Sequence, residues 1–491
     1  MPIILYDTLT RRKREFQPVD EGSVKVYVCG PTVYAAPHIG NARPAVVFDV
    51  LVRLLRHTYG ADKVKYARNI TDVDDKILAA AVETGEGPEV ITQKYTDVYH
   101  ADMDALGVMR PDIEPKVTDN MNAITSMIER LLDEGHAYEA EGHVLFDVVS
   151  YKSYGELSNR DREGMIAGAR VETAPYKRDP ADFVLWKPST PEQVGWESAW
   201  GRGRPGWHIE CSAMIGKHLG ETIDIHGGGI DLIFPHHENE CAQSFCTHQK
   251  PLSNYWMHNG FVNMGDEKMS KSEGNIITVQ ELFCEVARNA PSGTPARIPG
   301  EIIRYALLST HYRQPLNWSD DLVKRSAHDL DGLYDAVGRA RAARGGKGSA
   351  KDVNPSLADG AVLRALEDDL NTPQALRELL RLAKEIRRTE DNSELRRLWS
   401  VLLASGKVMG LLQENLEQWF GASMWFFTSK DTLQNIRTDD AKVNAHIKER
   451  EEARKQGDYA KADRIRDELA QSGIIVDDTP KGPIWRYRRK W

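Results

Sequence analysis

The chain has 491 residues, of which 41% are hydrophobic and 28% charged, and its formal net charge is −9. This length predicts two to four domains rather than one ordinary core. No stretch approaches the roughly 20 consecutive apolar residues that span a bilayer. The N-terminus also lacks a presequence pattern, so we expect a cytoplasmic protein with no membrane partner. The negative charge excludes general attraction to nucleic acid, and any polyanion must be held by local basic patches.

The first predicted elements are a strand, a helix and a second strand. Residues 24–29 (VKVYVC) are β-branched and aromatic and end at a Gly-Pro turn, which predicts a strand. Residues 44–57 have apolar positions at helical spacing, with Pro44 at the first helical position. Residues 64–69 predict the second strand. This βαβ order predicts a parallel sheet whose first loop binds a phosphate-bearing ligand.

The rest of the chain predicts an insertion, the second half of the sheet and two helical regions. Residues 77–132 are mainly helical in pattern, and residues 142–207 are rich in turns. The later predicted elements are strand 221–226, helix 235–248, strand 255–263, a helix bundle at 319–412, a helical pair at 442–471 and strand 474–476. The fold class is therefore α/β: a Rossmann-like parallel-sheet catalytic domain with an inserted mixed subdomain, then an α-helical bundle and a small C-terminal α+β domain.

Two short segments predict a nucleotide site. Lys268-Met269-Ser270-Lys271-Ser272 places two lysines three residues apart in a loop, where both ammonium groups can contact one triphosphate. His38 and Gly40 lie in the loop after the first predicted strand; His38 can donate to phosphate oxygens, and Gly40 allows close approach. Either segment alone is more often a surface loop or a turn. Together, at one edge of one sheet, they predict ATP binding.

These two segments resemble the HIGH and KMSKS signatures of class I aminoacyl-tRNA synthetases. Further motifs along the chain are VCGPTVY (28–34), NITDVDDK (69–76), GWHIECS (206–212), GGGIDL (227–232) and FPHHENE (234–240). These motifs resemble the cysteinyl-tRNA synthetase family. The resemblance covers essentially the whole chain. It implies activation of L-cysteine with ATP and transfer to cysteine tRNA. The implied catalytic residues are His38, Asn41, Lys268 and Lys271. Asn41 departs from the signature, where the last position is histidine, and its amide can donate to phosphate but carries no charge.

The metal-ligating residue types favour zinc. Cys29 ends the first predicted strand, Cys211 is predicted to open a helix, and the PHHENE segment begins another helix. Thiolate, imidazole and carboxylate together suit zinc. Spacing leaves the choice open, because His236 with Glu240 and His237 with Cys241 are both i, i+4 pairs. The family resemblance selects Cys29, Cys211, His236 and Glu240 for one Zn²⁺ per chain, with His237 and Glu238 as neighbours.

Cysteine usage otherwise indicates free thiols. The five cysteines are widely spaced and form no Cys-x-x-Cys pair, which argues against a disulfide framework. Cys246 and Cys284 are expected to act as small buried hydrophobes.

The resemblance also implies contacts with the substrates. It assigns Gly30, Thr71 and Trp207 to the amino acid, with Thr71 at the amino group and Trp207 closing over the side chain. Strand-end capping and core packing are the alternative interpretations. Asp231 is assigned to the ATP ribose, and Gly40 and Lys271 also to ATP. The acids Asp72, Asp74 and Asp75 are expected to begin a helix, since Mg²⁺ normally arrives with ATP.

The C-terminal region is expected to bind tRNA. The last residues combine cations with three aromatic rings: Lys481, Trp485, Arg486, Tyr487, Arg488, Arg489, Lys490 and Trp491. Such rings stack on unpaired bases, although a frayed charged terminus is the alternative. The predicted domains are a first catalytic half (1–120), an inserted connective subdomain (121–205), a second catalytic half (206–265), a KMSKS and stem-contact region (266–318), a tRNA-binding helical bundle (319–415) and an anticodon-binding domain (416–491).

Two other functions are compatible with the catalytic motifs. One is the related cysteine ligase of mycothiol synthesis, against which residues 415–491 argue because that enzyme needs no anticodon reader. The other is a catalytically inactive tRNA-binding paralogue, for which Asn41 leaves room. Residues 289–300 are interpreted as a surface loop without function. We expect a monomer, because no exposed heptad is evident.

Overall fold

The computed structural model describes residues 2–161, 164, 174–265, 267–268, 276–285, 299–416, 419, 440–471, 474–479 and 482–487. The chain forms two compact units. The first comprises Met1–Val279 and Arg304–Gln413, and the second comprises Gln280–Ile303 and Glu414–Trp491. The domain boundaries that we derived from the sequence stay predictions.

The elements are numbered in chain order. The strands are β1 (Ile4–Asp7), β2 (Arg12–Glu15), β3 (Val24–Val28), β4 (Val64–Arg68), β5 (Ala137–Ala140), β6 (His143–Phe146), β7 (Phe183–Pro188), β8 (Gly203–Pro205), β9 (Ile223–Gly229), β10 (Ser253–Asn259), β11 (Val262–Met264), β12 (Glu267–Lys268), β13 (Leu316–Trp318), β14 (Ile474–Thr479) and β15 (Gly482–Tyr487). The α-helices are α1 (Ile39–Tyr59), α2 (Asp75–Thr84), α3 (Pro88–Ala105), α4 (Met121–Asp133), α5 (Trp207–His218), α6 (Glu238–His248), α7 (Val279–Glu285), α8 (Gly300–Leu308), α9 (Asp320–Ala342), α10 (Gly360–Glu367), α11 (Thr372–Arg388), α12 (Asn392–Met409), α13 (Asp440–Lys455) and α14 (Tyr459–Gln471).

A parallel sheet of four strands lies at the centre of the first unit, in the order β10-β9-β3-β4. The chain passes from β3 through α1 to β4 on one side, and from β9 through α6 to β10 on the other. The strand order therefore reverses between β3 and β9. In open α/β sheets the ligand crevice opens at the carboxyl ends of the strands at this point.

Helix α1 begins at Ile39, five residues before the predicted start. Pro44 consequently lies inside the helix, and its assignment to the first helical position was wrong. The earlier start has a local cause, since the side-chain oxygen of Asn41 accepts the backbone N–H of His38 at 3.1 Å. Most of the helix is buried, including Val46, Phe48 and Leu51, so packing against the sheet stabilises it despite the proline.

Three other predicted boundaries differ from the structure. The strand predicted over 255–263 is divided, because the carbonyls of Gly260 and Phe261 turn towards the guanidinium of Arg43 at 2.8 and 2.6 Å. The helix predicted from Pro235 begins at Glu238, after an irregular turn. Cys211 is the fifth residue of α5 and does not open the helix.

The insertion is a small α+β layer. Helix α4 packs against an antiparallel sheet in the order β5-β6-β7-β8. Its buried core includes Ile124, Ile128, Leu131, Phe146 and Trp186, each fully or almost fully buried. This core extends to α5 and α6 through Ile209 and Ala242. The insertion is therefore anchored to the two helices that carry candidate ligands.

The helices from α9 to α12 pack as the predicted bundle. In the second unit, α13 and α14 enclose a core of Val443, Ile447, Ile465 and Leu469, with Val476 of β14 partly buried against it. The predicted short strand at 474–476 is a longer antiparallel hairpin, β14 with β15. The basic-aromatic end from residue 488 lies outside the described residues. Among the helices that the structure describes, none is both long and apolar enough to cross a membrane.

Candidate functional site

Four predicted ligands converge at the carboxyl ends of β3 and β9. Cys29 comes directly after β3, and Cys211 belongs to α5. Its sulfur lies 3.8 Å from that of Cys29. His236 Nε2 and Glu240 Oε1 lie 3.5 and 3.8 Å from the Cys29 sulfur, and 2.8 Å from each other. All four ligand atoms lie within 4.8 Å of one another. Two thiols, an imidazole and a carboxylate at this spacing fit a zinc ion.

A second ligand set overlaps the first. It combines Cys29 and Glu240 with His226 and His237, again within 4.8 Å. His237 Nε2 lies 3.4 Å from the Cys29 sulfur, while its Nδ1 lies 2.8 Å from Nε2 of His258. Sequence analysis missed His226 and His258. His226 belongs to β9 and His258 to β10, which pair in parallel. The register between these two strands was the information needed to find both histidines. Cys241, the softer alternative to Glu240, belongs to neither set.

Electrostatics divides these groups into charged and neutral ones. Burial alone would raise the pKa of Glu240, but His226 and His236 lower it to about 2. Glu240 in turn raises the pKa of His236 to about 10 against the effect of burial. The hydrogen bond from Cys29 lowers the pKa of Cys211 to about 6. Cys211 and Glu240 therefore favour the thiolate and the carboxylate, which are the forms that bind a cation. Burial raises the pKa of Cys29, and the raised pKa of His236 favours its protonated form, so these two groups must release protons when a metal binds.

Two neighbours hold the ligand side chains in place. His226 Nε2 lies 2.6 Å from Oε2 of Glu240, so the other carboxylate oxygen faces the cluster. His208 Nδ1 lies 3.0 Å from Nδ1 of His236, which leaves Nε2 of His236 directed at the sulfurs. Burial and His236 lower the pKa of His208 well below its usual value. Such partners fix the orientation and tautomer of metal ligands.

The predicted amino-acid contacts border the cluster. Trp207 is 38% exposed, and its ring stacks on that of His236 at 4.2 Å and 19°. Thr71 is buried, with its hydroxyl between Asn69 and Glu210. Gly30 follows Cys29 and donates its backbone N–H to Asn69 Oδ1 at 2.8 Å. These positions are compatible with an amino-acid pocket, and the roles stay predictions.

Glu210 lies beside this pocket in α5. Burial, followed by the negative charges of Cys211, Asp74 and Asp72, raises the pKa of Glu210 well above its usual value. Asp74 caps α2 by accepting the N–H of Lys76, as expected for a helix-start acid. Asp72 instead accepts from Thr118.

Backbone pairing connects the start of α1 to residues that follow the second ATP motif. Ile39 donates to the carbonyl of Ile277 at 3.0 Å, and Val279 donates to that of Pro37 at 3.0 Å. Residues 277–279, which follow the second ATP motif in sequence, therefore lie alongside the start of α1. Lys271 lies outside the described residues, as does the side chain of Lys268, so their contacts stay predictions.

The other predicted ATP residues have definite places. Gly40 is the second residue of α1, and Asn41 uses its side-chain oxygen for the N–H of His38, so its NH₂ group is the part that can donate to phosphate. Asp231 is exposed in a short turn after the three glycines that end β9. Gly40 and Asn41 lie in the first turn of α1, which follows β3, and Asp231 lies in the turn that follows β9.

A buried arginine that sequence analysis missed connects these elements. Arg43, fully buried in α1, donates to the carbonyls of Gly260, Phe261 and Gln314 at 2.6–2.8 Å and to His311 at 3.4 Å. Burial lowers the pKa of Arg43 to about 10. Arg43 thus connects the helix of the first ATP motif to the backbone leading into the second.

Comparison with known proteins finds the same architecture. The family model described as the tRNA synthetases class I (C) catalytic domain matches residues 15–328. A DALR domain model matches 361–413, and the cysteinyl-tRNA ligase anticodon binding domain matches 440–486. Among solved structures, Mycobacterium tuberculosis methionyl-tRNA synthetase with methionyl-adenylate has a TM-score of 0.57 at 16% identity, covering 81% of this chain and 93% of that one. At that identity the likeness supports the fold alone.

Relatives are similar over almost the full length. The cysteine–tRNA ligase of Parvibaculum lavamentivorans is 55% identical over 487 residues, covering 99% of this chain and 98% of the relative. That of Maricaulis maris is 52% identical over 485 residues, covering 99% of both. The chain therefore belongs to the cysteine–tRNA ligase family of class I tRNA synthetases.

Proposed function

We propose that this chain activates L-cysteine with ATP to cysteinyl-adenylate and transfers the cysteinyl group to the 3′ end of cysteine tRNA. The observation that carries the proposal is the convergence of Cys29, Cys211, His236 and Glu240 at the crevice between β3 and β9. Relatives that are named cysteine–tRNA ligase and match over nearly the whole chain support the same reaction.

The cluster would hold one zinc ion per chain. We choose the set with Cys211 over the set with His226 and His237, because two sulfur ligands suit zinc and Cys211 is already the more acidic thiol. A zinc ion bound there would accept the substrate's thiolate far more readily than the hydroxyl of serine. Shape alone discriminates poorly between two such similar side chains. The chain's contribution is to orient the ligands through His208 and His226.

Activation requires stabilisation of charge on ATP. The carboxylate of cysteine attacks the α-phosphate in line, and pyrophosphate leaves with the electrons of the broken P–O bond. His38, Asn41, Lys268 and Lys271 would donate to the phosphate oxygens. Gly40 would allow the nucleotide close to the start of α1, Asp231 would accept from the ribose hydroxyls, and Mg²⁺ would arrive with ATP.

Transfer completes the reaction. The 2′-hydroxyl of the terminal adenosine, as in other class I enzymes, attacks the carbonyl carbon of the adenylate and releases AMP. Residues 319–415 and 416–491 would bind the tRNA, with the last segment at the anticodon. We also propose a monomer located in the cytoplasm.

The test is cysteine-dependent ATP–pyrophosphate exchange followed by charging of cysteine tRNA, with serine as the competing amino acid. We expect exchange with cysteine, at least about 100-fold less with serine, and charging of the tRNA. Exchange without charging would favour a cysteine ligase with another acceptor. Absence of both reactions would favour an inactive tRNA-binding protein.

A further inference from the structure

A buried polar network lies next to the metal cluster and joins three elements. The hydroxyl oxygen of Thr71 lies 3.2 Å from Nδ2 of Asn69 and 3.4 Å from Oε2 of Glu210. Asn69 Oδ1 accepts the N–H of Gly30 at 2.8 Å. Asn69, Thr71 and Glu210 are each at most 2% exposed. The side chain of Asn69 thereby connects the loop after β3 to the loop after β4, and the hydroxyl of Thr71 connects the loop after β4 to helix α5.

The bonding of this hydroxyl restricts what else it can bind. A hydroxyl has one donor hydrogen and two acceptor lone pairs. Thr71 donates its hydrogen to Glu210 and accepts an N–H from Asn69. One acceptor position remains. A ligand at Thr71 must therefore be a hydrogen-bond donor, and a carboxylate would find no donor there.

The position of the network indicates which donor it would meet. Glu210 precedes the ligand Cys211, and Asn69 Oδ1 lies 3.9 Å from the Cys211 sulfur. A cysteine whose thiol binds at the cluster carries its ammonium group only three bonds from that sulfur. A buried ammonium is costly unless acceptors and negative charge surround it. Glu240 is already engaged by His226 and His236, and Asp72 by Thr118.

We propose that Asn69 and Glu210 are positioning residues that, with Thr71, form the subsite for the α-ammonium group of the amino-acid substrate. Glu210 draws the Thr71 hydrogen away from the pocket, and Asn69 fixes the oxygen from the other side. Asn69 also sets the loop at Gly30, where an added Cβ would lie 1.6 Å from its backbone oxygen. This inference rests on the proposed function for the identity of the substrate.

The test compares L-cysteine with 3-mercaptopropionate, which keeps the thiol and carboxylate but lacks the amino group. Binding of each to the full-length protein is measured by titration calorimetry. Wild type should bind cysteine at least about 10-fold more tightly than the analogue, since hydrogen bonds to charged groups are the stronger ones. Glu210→Ala and Asn69→Ala should reduce this preference to about two-fold or less, mainly because these variants bind cysteine more weakly.

Matched variants separate positioning from general damage. Glu210→Gln keeps an oxygen that accepts from Thr71 and should retain most of the preference. Ser212→Ala removes a buried hydroxyl two residues along α5, where it bonds to Gln243, and should leave the preference unchanged. In a Thr71→Val background, Glu210→Ala should have no further effect on the ratio, because the hydroxyl through which it acts is missing.

Several results would overturn the inference. The first is that Glu210→Ala weakens the binding of cysteine and of 3-mercaptopropionate equally. The second is that this variant keeps the full preference for cysteine, and the third is that the wild type binds cysteine no more tightly than the analogue. Thermal unfolding shows whether Glu210→Ala folds. If it does not, the ratio of the affinities for cysteine and 3-mercaptopropionate in Glu210→Gln and in Thr71→Val tests the inference instead. Pyrophosphate exchange is measured separately. Its absence in a wild type that still prefers cysteine would refute the proposed function and leave the ammonium subsite standing.

Discussion

Cys211 is the proposed ligand whose replacement should affect metal and substrate together. Cys211→Ser exchanges a buried, acidified thiol for a hydroxyl that does not ionise at neutral pH. Because a neutral hydroxyl is a poor zinc ligand, we expect bound zinc to fall well below one per chain. Cysteine-dependent exchange should fall by about 100-fold or more, as expected when a ligand rather than its supporting partner is lost. Elemental analysis and exchange kinetics measure the two effects.

Cys246→Ser provides the matched control. Cys246 is equally buried, but it packs in the core of the insertion and belongs to neither ligand set. This variant should keep its zinc and change activity only through stability. Normal zinc content in Cys211→Ser, with unchanged selectivity against serine, would show that the proposed ligand set is wrong.

Gly30 should not tolerate a side chain. A Cβ there would lie 1.6 Å from the backbone oxygen of Asn69, so the loops after β3 and β4 would have to separate. We expect Gly30→Ala to cost about 3 kcal/mol or more of unfolding free energy, at or above the usual range for overpacking, and to weaken cysteine binding. Gly216→Ala is the control, because Gly216 lies within α5 and, apart from that helix's own backbone, the nearest atom to an added Cβ is Nε2 of His248, 3.7 Å away. The unfolding free energies of both variants are measured by calorimetry, and an equal loss in Gly30→Ala and Gly216→Ala would contradict this expectation.

The candidate ligands were accessible from sequence for a chemical reason. Thiols, imidazoles and carboxylates near strand ends and helix starts predicted a zinc site, and the family resemblance selected Cys29, Cys211, His236 and Glu240 from the possible ligands. His226 and His258 were not accessible in this way. They approach the cluster because β9 and β10 pair with His258 opposite Gly228, and spacing along the chain does not contain that register.

At the scale of elements, a buried ion pair joins α1 to α8. Asp49 bonds to Arg304, with both side chains fully buried, and also to Arg53 and the N–H of Met109. Burial would raise the pKa of Asp49, but Arg304 and Arg53 lower it below the usual value. Asp49→Asn leaves Arg304 without its counter-charge. We expect a loss of about 3 to 5 kcal/mol of unfolding free energy at pH 7.

The pH dependence of that loss is the sharper measurement. The pKa of Asp49 is lower in the folded chain than in the unfolded chain, where it is about 4. The contribution of Asp49 to the free energy of unfolding is therefore complete above about pH 4, and it disappears as the pH falls through the pKa of the folded state. Unfolding temperatures of wild type and Asp49→Asn should therefore differ most at neutral pH and converge below about pH 4. A constant difference down to pH 3 would contradict this assignment. Asp104→Asn, in the exposed pair with Arg110, should cost less than about 1 kcal/mol at any pH.

Element types were largely predictable, whereas element ends were not. Hydrophobic period and Gly-Pro turns located β3, α1 and β4 because each pattern is local. The start of α1 depended on a side chain, Asn41, that caps the backbone of His38. The break between β10 and β11 depended on Arg43, more than 200 residues away in sequence. Long-range hydrogen bonds of this kind override local propensity.

At the scale of the whole molecule, the order of motifs predicted the order of domains. The chain forms two compact units, and the helices from α9 to α12 belong to the same unit as the parallel sheet, while the predicted domain boundaries stay predictions. The C-terminal region contains a core of its own between α13 and α14. Its side-chain chemistry at residues 488–491 lies outside the described part of the chain.

This separate core leads to a prediction for a chain that ends at residue 439. The deletion removes residues 440–486, which match the anticodon-binding model, together with their own buried cluster. The catalytic sheet and the metal ligands all lie in the first unit. Cysteine-dependent pyrophosphate exchange should therefore remain within about three-fold of wild type, because no ligand or ATP contact is lost. Charging of cysteine tRNA should fall by at least about 100-fold, since base stacking and phosphate contacts contribute several kcal/mol.

An anticodon-mutated tRNA is the control: it should lower charging by the full-length chain and have no further effect on the truncated one. Normal charging by the truncated chain would show that the tRNA is recognised elsewhere.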